Sequence, residues 1–586
     1  MINAAGTRIG PSGMTRLTVR QFLMIMTAAV ASLAAEAATP DILSAADEER
    51  YREILELQDE ARWTAADAVI ARVEDPVLMG YVRQQRLMHP GGYKASFQEL
   101  KEWLAYYADH PGADEIYALA VKRTPRGAAT PQKPIGRKWL PPLETPIHPD
   151  LANDYAATSR PLVQQIEGRV RHLAKKEQAS LALTEIDRRL KNGDITTRQY
   201  DRMRSWIAAS LYYQGFADRA RAVADEVSSR NGDSAVLAYW ISGLIAFRDG
   251  DMKKAHERFS RMASVPHQED GLRAGAGFWA ARTALADGHA EDVAPNLEIA
   301  AQRPYTFYGQ LALAQLGREF DANAAPPPLT DDGLARLVAV APQTRRAIAL
   351  AEIGRKDEAD VEFRWINALL DDEVAIDLLA LVAALDLPAA QLDVAQTRSG
   401  KAFEAGLYPL PHFAPANGFT ADPALIYALM RQESKFKTEA TSRVGAKGLM
   451  QLMPRTASYM AKDRSLQNAS GSKKLYDPAV NLAIGQDYVN HLIDTTADGD
   501  LFDMAVAYNG GPGNLRRWKR EVAVDDQLLF IESIPNPESR DFVERVLTNY
   551  WVYRARMGQK PTSRDLAAAG RTPLYDALDQ IIEQSN

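Results

Sequence analysis

The chain of 586 residues contains no cysteine. This excludes disulfides, thiolate metal sites, a catalytic thiol and a lipid-bearing N-terminal cysteine. Histidine is scarce, nine in all, and none stands in a His-Glu-x-x-His frame, which argues against a zinc hydrolase. Positive charge is in deficit: 69 Lys and Arg face 76 Asp and Glu, giving a net charge of −7 and a pI near 5.9. Proteins that bind nucleic acid carry a basic face, so no nucleic-acid partner is expected. Beyond the N-terminus no apolar run approaches the ~18 residues of a membrane span, so no stable membrane span is expected either. Strand-like alternation of polar and apolar residues is also rare. What remains, 46% hydrophobic and 25% charged, has ample material for a helical core.

The opening residues have the order of an export signal. Arg8, Arg16 and Arg20 precede an apolar run from Phe22 to Ala34, and the small residues Ala35, Ala37 and Ala38 follow. A signal peptide is therefore expected over residues 1–37, cleaved after Ala37 or Ala38, with Met14 as an alternative start. The competing reading is an ordinary buried N-terminal helix.

From about Pro40 to Leu392 the chain is rich in Ala, Leu, Glu and Arg. Apolar residues recur at helical spacing, as in Ile54, Leu55 and Leu57 or in Ile207, Leu211 and Tyr212. A repeat is visible within this stretch. Trp206, Trp240 and Trp279 are followed nine or ten residues later by Gly215, Gly250 and Gly288, and five residues further on by Ala220, Ala255 and Val293. Gly354 and Ala359 repeat the last two elements. The pattern predicts an aromatic-bearing helix, a glycine turn, and a second helix crossing closely at a small residue. Such pairs loosely resemble tetratricopeptide-like repeats, although antiparallel helices sharing only a turn chemistry fit as well. The tryptophans are expected in the core. Proline-rich breaks fall at 125–149, at Pro326-Pro327-Pro328 and between Tyr408 and Gly418.

After the last break comes Asp422-Pro423 and an apolar helix that ends at Glu433-Ser434. Asp422 can cap this helix, and Pro423 suits its first turn. Ile426, Leu429 and Met430 lie seven, four and three positions before Glu433, so one apolar face closes with a carboxylate. A carboxyl in that position is desolvated, holds its proton to higher pH and can act as a general acid. Taken alone, the helix fits a solvent-facing glutamate equally, since helical glutamates are mostly exposed.

Downstream, in order, stand Gly445-Ala446-Lys447-Gly448-Leu449-Met450-Gln451, then Ala507-Tyr508-Asn509-Gly510-Gly511, then Ile534-Pro535-Asn536-Pro537-Glu538-Ser539-Arg540 leading into Phe542-Val543. Gly445 and Gly448 permit a compact loop, Met450 either packs on a sugar face or fills the core, and Gln451 offers a donor and acceptors. The four ordered blocks resemble the C-terminal catalytic domain of soluble lytic transglycosylases, and the long helical region resembles their superhelical part.

The resemblance implies an all-α fold. A helical superhelix of tetratricopeptide-like pairs, in a ring or arc, would span 38–400 with a linker-like segment at 125–149. A linker would follow at 401–417, an α-rich lysozyme-like transglycosylase domain at 418–560 and a tail at 561–586. It further implies Glu433 as the only catalytic acid/base and Ser434 as its neighbouring helper. Gly448, Met450, Gln451, Tyr508 and Asn509 map to the groove, with Glu538 and Arg540 toward the peptide-bearing side of the substrate. Asn536 departs from the usual aromatic and Ser539 from the usual threonine. No cofactor and no metal are implied. The expected substrate is the peptidoglycan glycan strand, the expected location the periplasm, and other cell-wall enzymes are candidate partners. Glu439, Asp463, Asp477 and Asp487 are available as a second carboxylate, each with an easier reading as a cap, turn or surface residue. A hydrolytic muramidase and a glycan-binding helical scaffold without catalysis remain the alternatives.

Overall fold

The structure is a computed structural model that describes residues 40–143, 153–155, 158–266, 268–322 and 325–576. The expected signal peptide lies outside these residues, as do 144–149 of the proline-rich segment and 577–586 of the tail. Among the described residues the chain is helical throughout, with isolated β-bridges but no strand. It divides into two compact units: residues up to Arg137 with Pro327–Leu385, and Lys138–Pro326 with Asp386–Asn586. The division cuts through the helical array and puts its middle part in one unit with the C-terminal segment.

The first unit packs short helices around Tyr51, Ile54, Leu100 and Trp103, all at most 1% exposed. Its most buried carboxylate, Glu362, is held by Arg346, by Arg137 at 2.9 Å and by the Tyr81 hydroxyl at 2.6 Å. A buried charge without such partners would cost several kcal/mol. Residues 125–143, with their prolines, form no helix.

In the second unit the predicted repeat is a recurring turn. Helices Thr197–Tyr213, Leu237–Arg248 and Asp270–Asp287 each run into a glycine at φ +82 to +85°. The residue after each glycine donates its N–H back six positions: Phe216 to Leu211, Asp251 to Ala246 and His289 to Ala284, each at 2.9 Å. This bond closes the helix end, and it needs the left-handed backbone that glycine adopts without strain. Gly354 closes a helix of the first unit in the same way, with Arg355 donating to Leu350. Ala220 and Ala255 are fully buried where the second helices begin. Trp240 and Trp279 lie in the core as expected, whereas Trp206 is half-buried under the Arg171 guanidinium, 4.3 Å from its ring.

The array packs directly on the C-terminal segment within this unit. The Phe307 and Trp551 rings stack at 5.3 Å, Tyr212 shares a 2.7 Å hydrogen bond with Ser533, and Arg282 pairs with Asp526. The stretch between them is no loose tether. Tyr408 is buried between Tyr305 and Tyr553, with the Arg431 guanidinium 4.2 Å from its ring. The tail is folded in as well: helix Thr562–Ala568 lies under Trp551, whose indole N–H donates to Ser563 at 3.0 Å.

Candidate active site

The helix Pro423–Glu433 positions the candidate acid. Asp422, fully buried, accepts the Ala424 N–H at 3.0 Å, and its own N–H donates to the Tyr575 hydroxyl at 2.8 Å. Arg554, 1% exposed, lies 4.0 Å from Asp422 and 2.8 Å from Asp576. Ile426, Leu429 and Met430 are fully buried, so the apolar stripe read from the sequence is the helix's core face.

Glu433 is the last helical residue and is half-buried. Burial raises its pKa from 4.5 to about 8, and the charge of Glu538 adds to the shift. The helix C-terminus acts in the same direction, because its carbonyl dipoles disfavour an anion. At neutral pH the group is a carboxylic acid with a proton to give. Ser434, the expected helper, instead closes the helix: its hydroxyl donates to the Met430 carbonyl at 3.1 Å. Lys435 and Phe436 follow at φ +51 and +64°, two consecutive left-handed residues that are not glycine. That conformation costs about 1 kcal/mol or more per residue.

The glycine loop lies against this end of the helix. Gly448 has φ +74°, and a Cβ there would sit 2.1 Å from the Leu475 carbonyl oxygen and 2.3 Å from Asn481 Nδ2. Only glycine fits. Met450 corrects its groove assignment. Its side chain is fully buried, where a Cβ on Gly485 would touch its sulfur, so it fills the core and offers no face to a sugar. Its neighbour Met453 is the exposed one, at 39%. Gln451 spends its amide nitrogen on the Ala440 and Gly448 carbonyls at 3.1 and 2.9 Å, which leaves its oxygen to meet a ligand.

Tyr508 is clamped between the rings of Tyr488 and Phe542, stacked on the latter at 5.9 Å, and donates its hydroxyl to the Met450 carbonyl at 2.8 Å. Burial and the nearby Glu433 push its ionisation well above the ordinary tyrosine range. Asn509 accepts the Ser539 hydroxyl at 2.6 Å, and Asn536 caps the next helix by accepting the N–H groups of Glu538 and Ser539. Both departures from the usual block thus have local work. Glu538 is exposed and its field reaches Glu433. Arg540 is held by structure: its guanidinium lies 3.5 Å over the Tyr213 ring and donates to the Ile534 carbonyl. With Glu538 it lines a cavity of about 1390 Å³ whose other wall carries Lys175, Tyr213 and Trp240 of the array; Glu433 is not among its lining residues.

Residues 412–530 match the family model described as the transglycosylase SLT domain. The chain carries an SLT domain. Over a longer stretch it is similar to the soluble lytic murein transglycosylase of Escherichia coli K12, 26% identical over 381 residues that cover 64% of this chain and 57% of the relative. It is 33% identical to the membrane-bound lytic murein transglycosylase C of Shigella sonnei over 165 residues, 24% of this chain and 44% of that one. The chain thus spans a little over half the length of the soluble relative. In fold it is similar to the 70 kDa soluble lytic transglycosylase of E. coli, with TM-score 0.55, 17% identity, 91% of this chain and 98% of that one covered. The lytic transglycosylase Slt of Pseudomonas aeruginosa, solved as an inactive mutant, gives TM-score 0.53 at 19% identity over 96% and 94%.

Within the SLT domain the sequence reading passed over Asn481. It is fully buried; its oxygen accepts the Met450 N–H at 2.9 Å and its amide donates to the Lys447 and Leu475 carbonyls at 3.0 and 2.7 Å. An asparagine inside a helix that starts with a strong Asp477-Pro478 cap is disfavoured locally, and that was the available signal of a tertiary role. Of the other carboxylates, Asp477 and Asp463 are engaged as caps, accepting the N–H groups of Val480 and Ser465, and Asp487 is exposed. No helix among the described residues is long and apolar enough to cross a membrane.

Proposed function

We propose that this chain is an exported, periplasmic lytic transglycosylase that cleaves the β-1,4 bond between N-acetylmuramic acid and N-acetylglucosamine in peptidoglycan strands. The observation that carries the reading is the carboxyl of Glu433, kept protonated at neutral pH by burial and by Glu538 at the end of an apolar helix of an SLT domain.

Glu433 donates its proton to the bridging oxygen as the bond from that oxygen to C1 of the muramic residue breaks. The substrate's own 2-acetamido carbonyl stabilises the electron-poor C1. The ionised Glu433 then takes the proton of the C6 hydroxyl, whose oxygen bonds to C1 and closes a 1,6-anhydro ring. The proton lent in the first step is recovered in the second, and no water is consumed. One carboxylate suffices because the nucleophile belongs to the substrate, where a well-placed group reaches effective molarities of ~10⁵–10⁸ M. Ordinary glycosidases need two carboxyl groups to activate water or to form a covalent intermediate. No cofactor enters this scheme.

The test is digestion of purified sacculi followed by mass spectrometry. The expected products carry anhydromuramic ends, lighter by one water than those of a hydrolytic muramidase. Glu433→Gln is expected to lower fragment release at least about 100-fold, since the amide has no acidic proton to give. Equal release by both proteins sinks the role of Glu433, and reducing, hydrated ends reassign the reaction to hydrolysis.

A further inference from the structure

The array part of the second unit carries a side-chain cluster that the SLT chemistry does not use. His256 lies on helix Met252–Ser264, and His289 follows the glycine turn that ends helix Asp270–Asp287. Their rings lie face to face, with centroids 5.6 Å and planes 18° apart. Carboxylates meet them on several sides. His256 Nε2 is 3.3 Å from Asp292 Oδ2, His289 Nδ1 is 3.3 Å from Glu291 Oε1, and His289 Nε2 is 3.5 Å from Asp287 Oδ2. Donor atoms of His289, Glu291 and Asp292 all lie within 4.8 Å of one another.

The hydrogen bonds fix which nitrogen of His256 holds a hydrogen. Its Nδ1 is 3.2 Å from the Ala280 carbonyl oxygen, which can only accept, so Nδ1 carries the hydrogen; Ser260 Oγ, also at 3.2 Å, is a second acceptor. Nε2 then faces a carboxylate that also only accepts. Either both rings are imidazolium, which sets like charges face to face 5.6 Å apart, or a cation accepts the lone pairs of the rings and the carboxylates together. A backbone carbonyl on the far nitrogen is the arrangement that orients a metal-ligating imidazole. The two nitrogen–oxygen separations of 3.3 Å also equal the edge of a tetrahedron with bonds of about 2.0 Å, the length typical of zinc with nitrogen and oxygen ligands. Imidazole with carboxylate suits zinc and its neighbours better than calcium or magnesium.

We propose that His256, His289, Glu291 and Asp292 form a site for a divalent transition metal of the zinc class, a staple that joins one helix pair of the array to the next. The site is independent of the lytic reaction, and so is its test. The full chain, stripped with a chelator, is titrated at pH 7.5 with zinc chloride and separately with cobalt chloride. One equivalent of zinc is expected to bind with micromolar or tighter affinity, and the cobalt form to show the strong visible bands of four-coordinate cobalt. His256→Gln and His289→Gln are each expected to weaken zinc binding at least tenfold, with the helical circular dichroism unchanged. His412→Ala, at a single exposed histidine 3.3 Å from Asp386, is expected to change nothing. No stoichiometric binding, binding undiminished in the double variant, or only the weak bands of six-coordinate cobalt each overturns the proposal and leaves ion pairs of protonated histidines.

Discussion

The two ends of the helix Pro423–Glu433 are built on opposite terms. At its start every device favours stability: an aspartate cap, a proline in the first turn, a tyrosine hydroxyl from the tail and a buried arginine. At its finish almost every device works against it. A carboxyl sits half-buried at the wrong pole of the helix, and two left-handed residues follow that are not glycine. One end is made to hold position, the other to hold an unstable charge state. The fixed end is what allows the other to carry strain and a displaced pKa without the helix shifting.

The contrast breaks most visibly at the fixed end. Asp422→Ala removes the cap and leaves Arg554, 1% exposed, with Asp576 as its remaining carboxylate. A loss of about 3 kcal/mol is expected in urea unfolding of the full chain. A loss below about 1 kcal/mol would mean the start of the helix is held by packing alone. Asn481→Leu comes next, at about 2–3 kcal/mol, because the Met450 N–H and the Lys447 and Leu475 carbonyls lose their partner in the core. It has a second consequence. With the Met450 peptide released, the Tyr508 hydroxyl is free to donate to the Glu433 carboxylate, which favours the anion. The alkaline limb of the rate should then move below pH 8 and return when Tyr508→Phe is added. A limb that stays put in the single variant refutes this linkage.

The features legible in the sequence were those set by near neighbours. The left-handed glycines, the Asp422 cap and the apolar face ending at Glu433 follow from local spacing, and the structure shows each of them. Features set by distant partners were hidden. Met450 is in the core because Gly485 leaves room for its sulfur, and Arg540 is occupied by Tyr213, which belongs to the array. The tail had no readable role because Tyr575 finds its partner at Asp422, on the far side of the SLT domain in sequence. The segment around Tyr408 reads as a linker from its prolines, yet its aromatic ring is buried.

Two changes at the strained end sharpen the comparison with the opposite sign. Glu433 has its pKa raised in the folded state, from 4.5 to about 8, so the folded chain holds this proton more tightly than the unfolded one. The stability it contributes is present below about pH 4.5 and is lost as pH rises through 8. Glu433→Gln should therefore abolish lysis yet stabilise the chain by about 1–3 kcal/mol at pH 8, with no gain at pH 4. In the wild type the rate itself should fall as pH rises through 8, where the acid loses its proton. A pH-independent effect on stability would show that packing, not charge, is relieved.

The smallest expected effect is at Lys435, exposed and held at φ +51°. Glycine relieves the clash of its Cβ with the following carbonyl, and part of that gain is offset by the greater freedom of the unfolded chain, leaving about 0.5 kcal/mol of stabilisation. Activity should fall at the same time, because the left-handed pair Lys435-Phe436 fixes the exit of the chain just after the acid. A variant that gains stability and keeps full turnover would show that the strain is incidental to the reaction. One that gains stability and loses turnover would show that the strained turn serves to aim Glu433.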